Sequence, residues 1–566
     1  MFGSIREKAR STRGSSPGKP ITSAMPQVLL VQPPIRDYYL TAKRTIPYGL
    51  ACIAAAMQQA GYSVEILDAL AAPKARPRPR PRDLAYLDPF YGRPDISPVA
   101  LFHQFRHFGY SYQYLQQQIR RSRADIVGIS SLFTAYSGEA LHTAALAKRL
   151  LPRAAIVLGG HHPTALPESV MADPHVDYVL RGEGEIALPA LAKALAGKGA
   201  LEDVPGLVHR LPGGLHIGQP AWVADLDTQP PPAEALLKSK YYRRAKGPGK
   251  VLVTSRGCPF ACSYCCLNRN SPLPYRRRGM ASIARELKSA AVAQPPGFID
   301  FEDENLTLHK PWFMELMDMM GEHLPSGQAE LRAMNGLFPP SLDKEMVTAM
   351  ADNGFKTLNL ALATTHPQQL KRFKRPDVRP HLEKVLTWSR EQGVQCVTYL
   401  IAGAPRQKAV HSLADLLYLA GQPTLAGLSI FYPAPGSPDY GLCAARGLLP
   451  GNPMRMRSSA LPVDHSTSRL EAVTLLRLGR ILNFMKQLQG RGEQLPRPTL
   501  PAARVDAARL DRQALGRRLL SWFFKDGQIR GVTPQGEVYA HLGASGLCRE
   551  FLGGMPQKIV GENLKG

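Results

Sequence analysis

Short apolar runs recur along the chain. Several close on a loop rich in glycine, serine or cysteine, and stretches with helical character lie between them. In the first half the runs are 28–31 (VLLV), 64–67 (VEIL), 125–130 (DIVGIS), 155–158 (AIVL) and 176–180 (VDYVL). Between them, 47–61 (PYGLACIAAAMQQAG) opens on proline and stops on glycine as a helix does, and 137–151 and 185–195 are also helical. Unbroken apolar runs, as opposed to apolar–polar alternation, mark strands covered on both faces. Strands alternating with helices predict an α/β domain over 26–215, built on a doubly wound parallel sheet with ligands at the carboxyl ends of its strands.

A connector over 216–247 follows, with three prolines at 230–232. A second series then begins, with strand candidates at 251–254, 298–301, 357–362, 397–401 and 428–431, and a sixth at 331–334. Five or six β/α units within 248–440 suit an open, partial barrel better than an eightfold one. Past 441 the alternation stops. The region 441–566 is mainly helical, with a strong amphipathic stretch at 469–488 and a hairpin-like stretch at 527–539. Residues 1–25 have almost nothing to bury and read as a disordered basic tail. The stretch 74–82 (KARPRPRPR) must be extended, because each proline fixes φ and removes a donor, and it reads as a solvated insertion.

A chain of 566 residues is too long for one hydrophobic core. Lys+Arg exceeds Asp+Glu by 70 − 45 = 25. Much of this charge sits in the tail, in 74–82 and in the runs at 243–244 and 276–278, which read as solvated arginines in linkers. Bound anionic small molecules are a second sink for it. No RNA-binding motif is appended, so no nucleic-acid partner is expected. No apolar run reaches about 18 residues, so no membrane span is expected either. The N-terminus lacks the apolar segment of a secretory signal, and a cytoplasmic location is expected.

Four of the eight cysteines fall within nine residues, in Cys258-Pro-Phe-Ala-Cys262-Ser-Tyr264-Cys265-Cys266, just after the 251–254 strand candidate. So few cysteines in so long a chain exclude a disulfide scaffold, and their clustering points to metal in a reducing compartment. Three thiolates on one loop can hold three irons of a [4Fe–4S] cluster and leave the fourth iron open to a chelating small molecule. Zinc is the competing reading, but tetrahedral sites usually draw on two separated pairs, and no second pair is present.

The spacing Cys258-x3-Cys262-x-Tyr264-Cys265 resembles the signature of radical S-adenosylmethionine (SAM) enzymes. The resemblance implies that these three cysteines ligate the cluster, that the fourth iron binds S-adenosylmethionine (AdoMet), and that Tyr264 lies against adenine. Cys266 has no place in the signature. Phe301-Glu-Asp-Glu-Asn305, Ile401-Ala-Gly403-Ala-Pro405 and Tyr432-Pro-Ala-Pro-Gly436-Ser437 resemble later strand ends of the subgroup with an N-terminal cobalamin domain. This implies that Gly403 lies near AdoMet. Ala363-Thr364 stands where relatives carry a Glu-Ser pair, so the hydroxyl is kept and the carboxylate is not.

Glycine-rich loops close two strands of the first domain, Gly159-Gly160-His161-His162-Pro163-Thr164 and Arg181-Gly182-Glu183-Gly184-Glu185. Glycine lets backbone approach a ligand closely, or makes a tight turn and nothing more. With Ser130-Ser131, these loops resemble the cobalamin-binding domain of the same subgroup. The resemblance implies that Ser130, Ser131, Gly159, Gly160, His162, Thr164, Gly182, Glu183 and Gly184 line the cobalamin site. The Asp-x-His-x-x-Gly motif that supplies an axial histidine in many such domains is missing.

The resemblance implies a cobalamin-dependent radical SAM enzyme that methylates an unactivated carbon of a small molecule. It does so through methylcobalamin and a 5′-deoxyadenosyl radical, with electrons from a flavodoxin or ferredoxin. A non-methylating radical enzyme such as an anaerobic oxidative cyclase, an RNA-modifying enzyme, and a non-catalytic cluster or cobalamin sensor stay open. The sequence assigns no catalytic side chain.

Overall fold

The computed structural model describes residues 26–39, 45–72, 75–102, 104–244, 247–267, 273–291, 295–324, 327–507 and 509–556. The tail at 1–25 and Lys74 lie outside the described residues.

The first sheet contains β1 (Gln27–Gln32), β2 (Ser63–Asp68), β3 (Ile126–Ser130), β4 (Ala155–Gly159), β5 (Tyr178–Leu180), β6 (Leu207–Leu211) and β7 (Gly214–Ile217). The spatial order is β7-β6-β5-β4-β3-β1-β2. β2, β1, β3, β4 and β5 are parallel, while β6 and β7 add an antiparallel edge. Alternate residues of one run serve opposite faces. Leu29, Val31, Val127 and Ile129 pack into one core, and Val28, Leu30 and Ile126 into the other, against α1 (Tyr48–Gln59). Helix α2 (Ser137–Leu150) covers the first face and α3 (Gly184–Leu195) the second. This two-sided burial is why the strands read as continuous apolar runs. The strand order reverses between β1 and β3, so a crevice opens past the carboxyl ends of those two strands.

The second series forms β8 (Gly247–Leu252), β9 (Phe298–Phe301), β10 (Glu330–Arg332), β11 (Thr357–Ala363), β12 (Gln395–Ala402) and β13 (Leu425–Ile430). Neighbours pair in parallel within β8-β9-β10 and β11-β12-β13, and the bridges Leu331↔Phe355 and Leu337↔Leu360 join the halves. The result is an open arc of six strands, the partial barrel that the spacing predicts. Helices α4 (Pro367–Phe373) and α5 (Ala409–Ala420) follow β11 and β12.

Helix α6 (Arg469–Gly490) starts on a Ser468/Glu471 capping box and lies along β13. Asn483 accepts from the Ala426 amide and donates to its carbonyl, both at 2.8 Å, which satisfies backbone at the open edge of the arc. Helix α7 (Arg512–Asp526) and the hairpin of Arg530–Val532 and Val538–Ala540 complete the C-terminal region.

The Arg-Pro stretch is extended, with Arg76–Pro77 paired to Arg106–Phe108. It is not wholly solvated. Arg80 is largely buried over the Tyr38 ring. The segment after it packs far from the first sheet: the Ile96 amide donates to the Val532 carbonyl at 2.9 Å, and Asp95 meets His541 at 2.9 Å. The segment after the insertion therefore buttresses the C-terminal region. Among the described residues, no helix is long and apolar enough to cross a membrane.

Candidate active site

The cysteine loop is fixed at both ends. Past β8, Thr254 and Ser255 donate their hydroxyls to Asp303 Oδ1 at 2.7 and 2.6 Å, and their amides turn to the same carboxylate. Asp303 is buried past the end of β9, so it anchors one barrel strand end to the next. Ser255–Arg256 then pairs antiparallel with Arg276–Arg277 and closes the loop 257–275. Gly257 has φ +81°, and a Cβ there would lie 2.5 Å from the Pro274 carbonyl oxygen, so only glycine fits this neck.

Within the loop, Cys262 is buried and Cys258 and Cys265 are half-buried. Burial raises the pKa of Cys258, with Cys262 adding to it, and burial together with Cys266, Cys262 and Cys258 pushes the Cys265 thiol up to about 12. The thiols thus lie within electrostatic reach of one another. Among the described residues, no three His, Cys, Asp or Glu groups converge on a single ion. The Asn305 side chain bonds Cys258 while its Oδ1 is buried without a partner. Arg375 Nη1 lies 3.8 Å from Cys262 Sγ. This donor set fits a cluster.

Tyr264 packs edge-on against Phe373 at 5.0 Å. Gly403 is buried with φ +72°, and a Cβ there would meet Pro462 Cβ at 2.9 Å. Ala363 also has a positive φ, +68°, at a register shift in β11. A non-glycine residue held there carries backbone strain of about 1–3 kcal/mol. The Thr364 hydroxyl donates to buried Asp415 at 2.8 Å, so the hydroxyl kept at this position is engaged inside the protein.

The first domain's loops divide into two groups. Ser130 ends β3, and Ser131 Oγ is buried without a partner. Leu132 and Phe133, next in the chain, are 42% and 53% exposed. Large apolar side chains left open at the strand-order switch, beside an unsatisfied hydroxyl, fit a broad, partly apolar ligand such as a corrin. Gly159 is the cross-strand partner of Ser130. His161 is exposed, and desolvation lowers its pKa.

Gly160 and the rest of the anticipated cobalamin set also make contacts within the protein. A Cβ on Gly160 (φ +116°) would lie 2.7 Å from the Ser131 carbonyl oxygen. His162 is buried with Nδ1 3.1 Å from Thr134 Oγ1, and desolvation pushes its pKa down to about 4. The Thr164 hydroxyl donates to the Gly160 carbonyl at 2.8 Å and accepts from the Gly182 amide at 2.9 Å. A Cβ on Gly182 would overlap Ala221 backbone at 2.0 Å, and one on Gly184 would meet Ile53 Cδ1 at 2.6 Å.

Glu183 accepts from the Val223 amide at 2.6 Å and from both terminal nitrogens of Arg276 at 2.7 and 3.0 Å, with Arg256 at 3.4 Å. Arg256 also pairs with Glu185 at 2.7 Å. The two arginines are cross-strand partners in the hairpin that closes the cysteine loop. Arg278 pairs with buried Glu286 at 2.6 Å. Arg276 and Arg278 are therefore not the solvated linker arginines that the charge count suggests.

Sequence reasoning missed the junction of the three regions. Asp37, past β1, forms a buried pair with Arg457 at 2.9 Å and accepts from Tyr136 at 2.5 Å and from Ser459 at 3.1 Å. A Cβ on Gly436 (φ +85°) would lie 3.7 Å from Ala165 Cβ and 3.8 Å from Cys266 Cβ. A first-domain loop, the cysteine loop and the loop after β13 therefore meet at one point. The prolines around 433–435 signal a turn there, but no local pattern signals the contact.

Family models match in the same order: "B12 binding domain" over residues 101–192 and "Radical SAM superfamily" over residues 252–415. Cytidylyl-2-hydroxyethylphosphonate methyltransferase of Streptomyces wedmorensis is 25% identical over 426 residues, 69% of this chain and 74% of that protein. Anaerobic magnesium-protoporphyrin IX monomethyl ester cyclase of Rubrivivax gelatinosus is 30% identical over 212 residues, 36% of this chain and 38% of that protein. The fold is shared with TsrM of Kitasatospora setae, a radical S-adenosylmethionine methyltransferase solved with cobalamin and a [4Fe–4S] cluster bound. The TM-score is 0.57 at 18% identity, covering 78% of this chain and 83% of that one. A B12-binding domain ahead of a radical SAM domain places this chain among the radical SAM enzymes with an N-terminal B12-binding domain.

Proposed function

We propose that the protein methylates an unactivated carbon of a small molecule held between the exposed Leu132–Phe133 pair and the cysteine loop. The observation that carries this reading is the meeting of Ala165, Cys266 and Gly436, which sets a first-domain loop against the cysteine loop. When bound, cluster and cobalamin supply reductive cleavage of AdoMet and a carrier for its methyl group. Cys258, Cys262 and Cys265 hold the cluster, Asp303 fixes the strand end from which their loop departs, and Tyr264 and Gly403 border AdoMet. Ser131, Leu132, Phe133, Gly159 and His161 face the corrin. Glu183 and Glu185 grip the neck of the cysteine loop through Arg256 and Arg276, so the two cofactor sites keep one relative position. The junction is walled by both domains and the C-terminal region, which excludes water from reactive species. An oxygen-sensitive cluster and thiols without disulfides suit the cytoplasm.

Relatives of both the methyltransferase and the cyclase kind exist, and one experiment separates the two readings. The reconstituted protein is incubated anaerobically with AdoMet, a reductant and hydroxocobalamin. Methyl transfer predicts cobalamin-dependent S-adenosylhomocysteine as well as 5′-deoxyadenosine. 5′-Deoxyadenosine alone would replace methylation with non-methylating radical chemistry.

A further inference from the structure

The segment Lys371-Arg372-Phe373-Lys374-Arg375 at the end of α4 lies directly on the cysteine loop. The Phe373 carbonyl accepts from the Ser263 amide at 3.1 Å, its ring meets Tyr264, and Arg375 reaches Cys262. Phe373 is buried, while Lys371 and Lys374 are exposed. Arg406 and Lys408, in the turn between β12 and α5, are also exposed. Arg372 joins the two segments by donating to the Arg406 carbonyl at 3.3 Å. At the edge of the group, His366 and His411 stack at 3.6 Å, and partial burial with Arg372 nearby lowers the pKa of both.

Among the described residues, none of these lysines and arginines forms an ion pair. Of the nearby acids, Asp377 is paired by Arg379 and Asp464 by Arg446, while Asp439 accepts from Ser263 and feels the Lys374 charge. Gathering several like charges with so little counter-charge costs repulsion that folding does not require. Such a surface steers an oppositely charged partner and raises its rate of encounter.

We propose that this patch, Lys371, Lys374, Arg406 and Lys408 around the Phe373 contact, is the docking surface for an acidic one-electron carrier protein of the flavodoxin type. The inference rests on the functional reading above, in which each AdoMet cleavage consumes one electron. The carrier is oxidised by one electron as the bound cluster gains one, and no bond or proton moves in that step. The patch touches the cysteine loop through Phe373 and Arg375, so a carrier seated there rests on the segment that contacts that loop.

The test uses the reconstituted holoenzyme and an acidic flavodoxin. The variant is Lys371→Gln/Lys374→Gln/Arg406→Gln/Lys408→Gln, with the two double variants K371Q/K374Q and R406Q/K408Q as checks on folding. Affinity for oxidised flavodoxin, measured by titration calorimetry at low and moderate salt, should fall by about tenfold or more in the quadruple variant, with a shallower salt dependence. AdoMet cleavage should be unchanged with dithionite and fall in parallel with affinity when reduced flavodoxin is the donor. Unchanged flavodoxin affinity would overturn the docking surface, as would tight tRNA retention lost in the variant without any flavodoxin binding. No cleavage by the wild type with dithionite would instead overturn the functional reading.

Discussion

Glu183 of the first domain and Arg276 of the hairpin that closes the cysteine loop form a two-pronged ion pair, 2.7 and 3.0 Å, with both side chains about nine-tenths buried. Burial pushes the Glu183 pKa up, but the Arg276 hydrogen bonds and the Arg256 charge outweigh it and hold the carboxyl below its ordinary range. The pair therefore stabilises the fold above the usual carboxylate range and loses that contribution as pH falls through it. Truncating one partner leaves a buried charge unmatched. Glu183→Ala should cost about 3 kcal/mol in thermal or denaturant unfolding. Arg276→Lys should also destabilise, because an ammonium cannot reproduce the two-pronged contact. Wild-type stability in both variants would show the contact to be incidental.

Leu132 and Phe133 are exposed, so changing them should spare the fold. Leu132→Glu/Phe133→Glu should melt like the wild type yet bind hydroxocobalamin at least about tenfold more weakly, since two apolar contacts of about 1.5 kcal/mol or more would be lost. Equilibrium binding followed by the corrin absorbance checks this. Gly160→Trp is a poorer probe. Its Cβ would run into Ser131 backbone, so folding would fail before the corrin was tested.

The His162 pKa is pushed from 6.5 down to about 4 by desolvation. Between those values the unfolded chain binds the proton and the folded chain does not, so stability falls as pH falls through that window. The full effect is at most about 3 kcal/mol. His162→Gln removes the titrating group. Its melting temperature should change less than that of the wild type between pH 6.5 and 4.5. Parallel curves would show that other groups govern acid sensitivity.

Most of the fold was legible because its signals are local. A run such as VLLV at 28–31 is apolar throughout because both sheet faces are covered, and the three cysteines of the loop lie within eight residues. Contacts between distant segments were not legible. Glu183 and Arg276 are 93 residues apart, and Asp37 and Ser459 are 422 apart. The glycines were half-legible. Gly160 and Gly182 look alike whether a ligand or the chain's own backbone approaches, and at both positions the backbone alone already requires glycine. The charge of 276–278 was misleading for the same reason: whether an arginine is solvated or buried depends on a carboxylate elsewhere in the chain.

The central claim is that Cys258, Cys262 and Cys265, and not Cys266, hold a cluster that cleaves AdoMet. The most direct measurement is iron content and 5′-deoxyadenosine formation after anaerobic reconstitution, comparing the wild type, Cys266→Ala, and Cys258→Ala/Cys262→Ala/Cys265→Ala. The account predicts about four irons per chain and AdoMet cleavage in the first two, and neither in the third. A cluster retained by the triple variant, or lost on changing Cys266 alone, would contradict it.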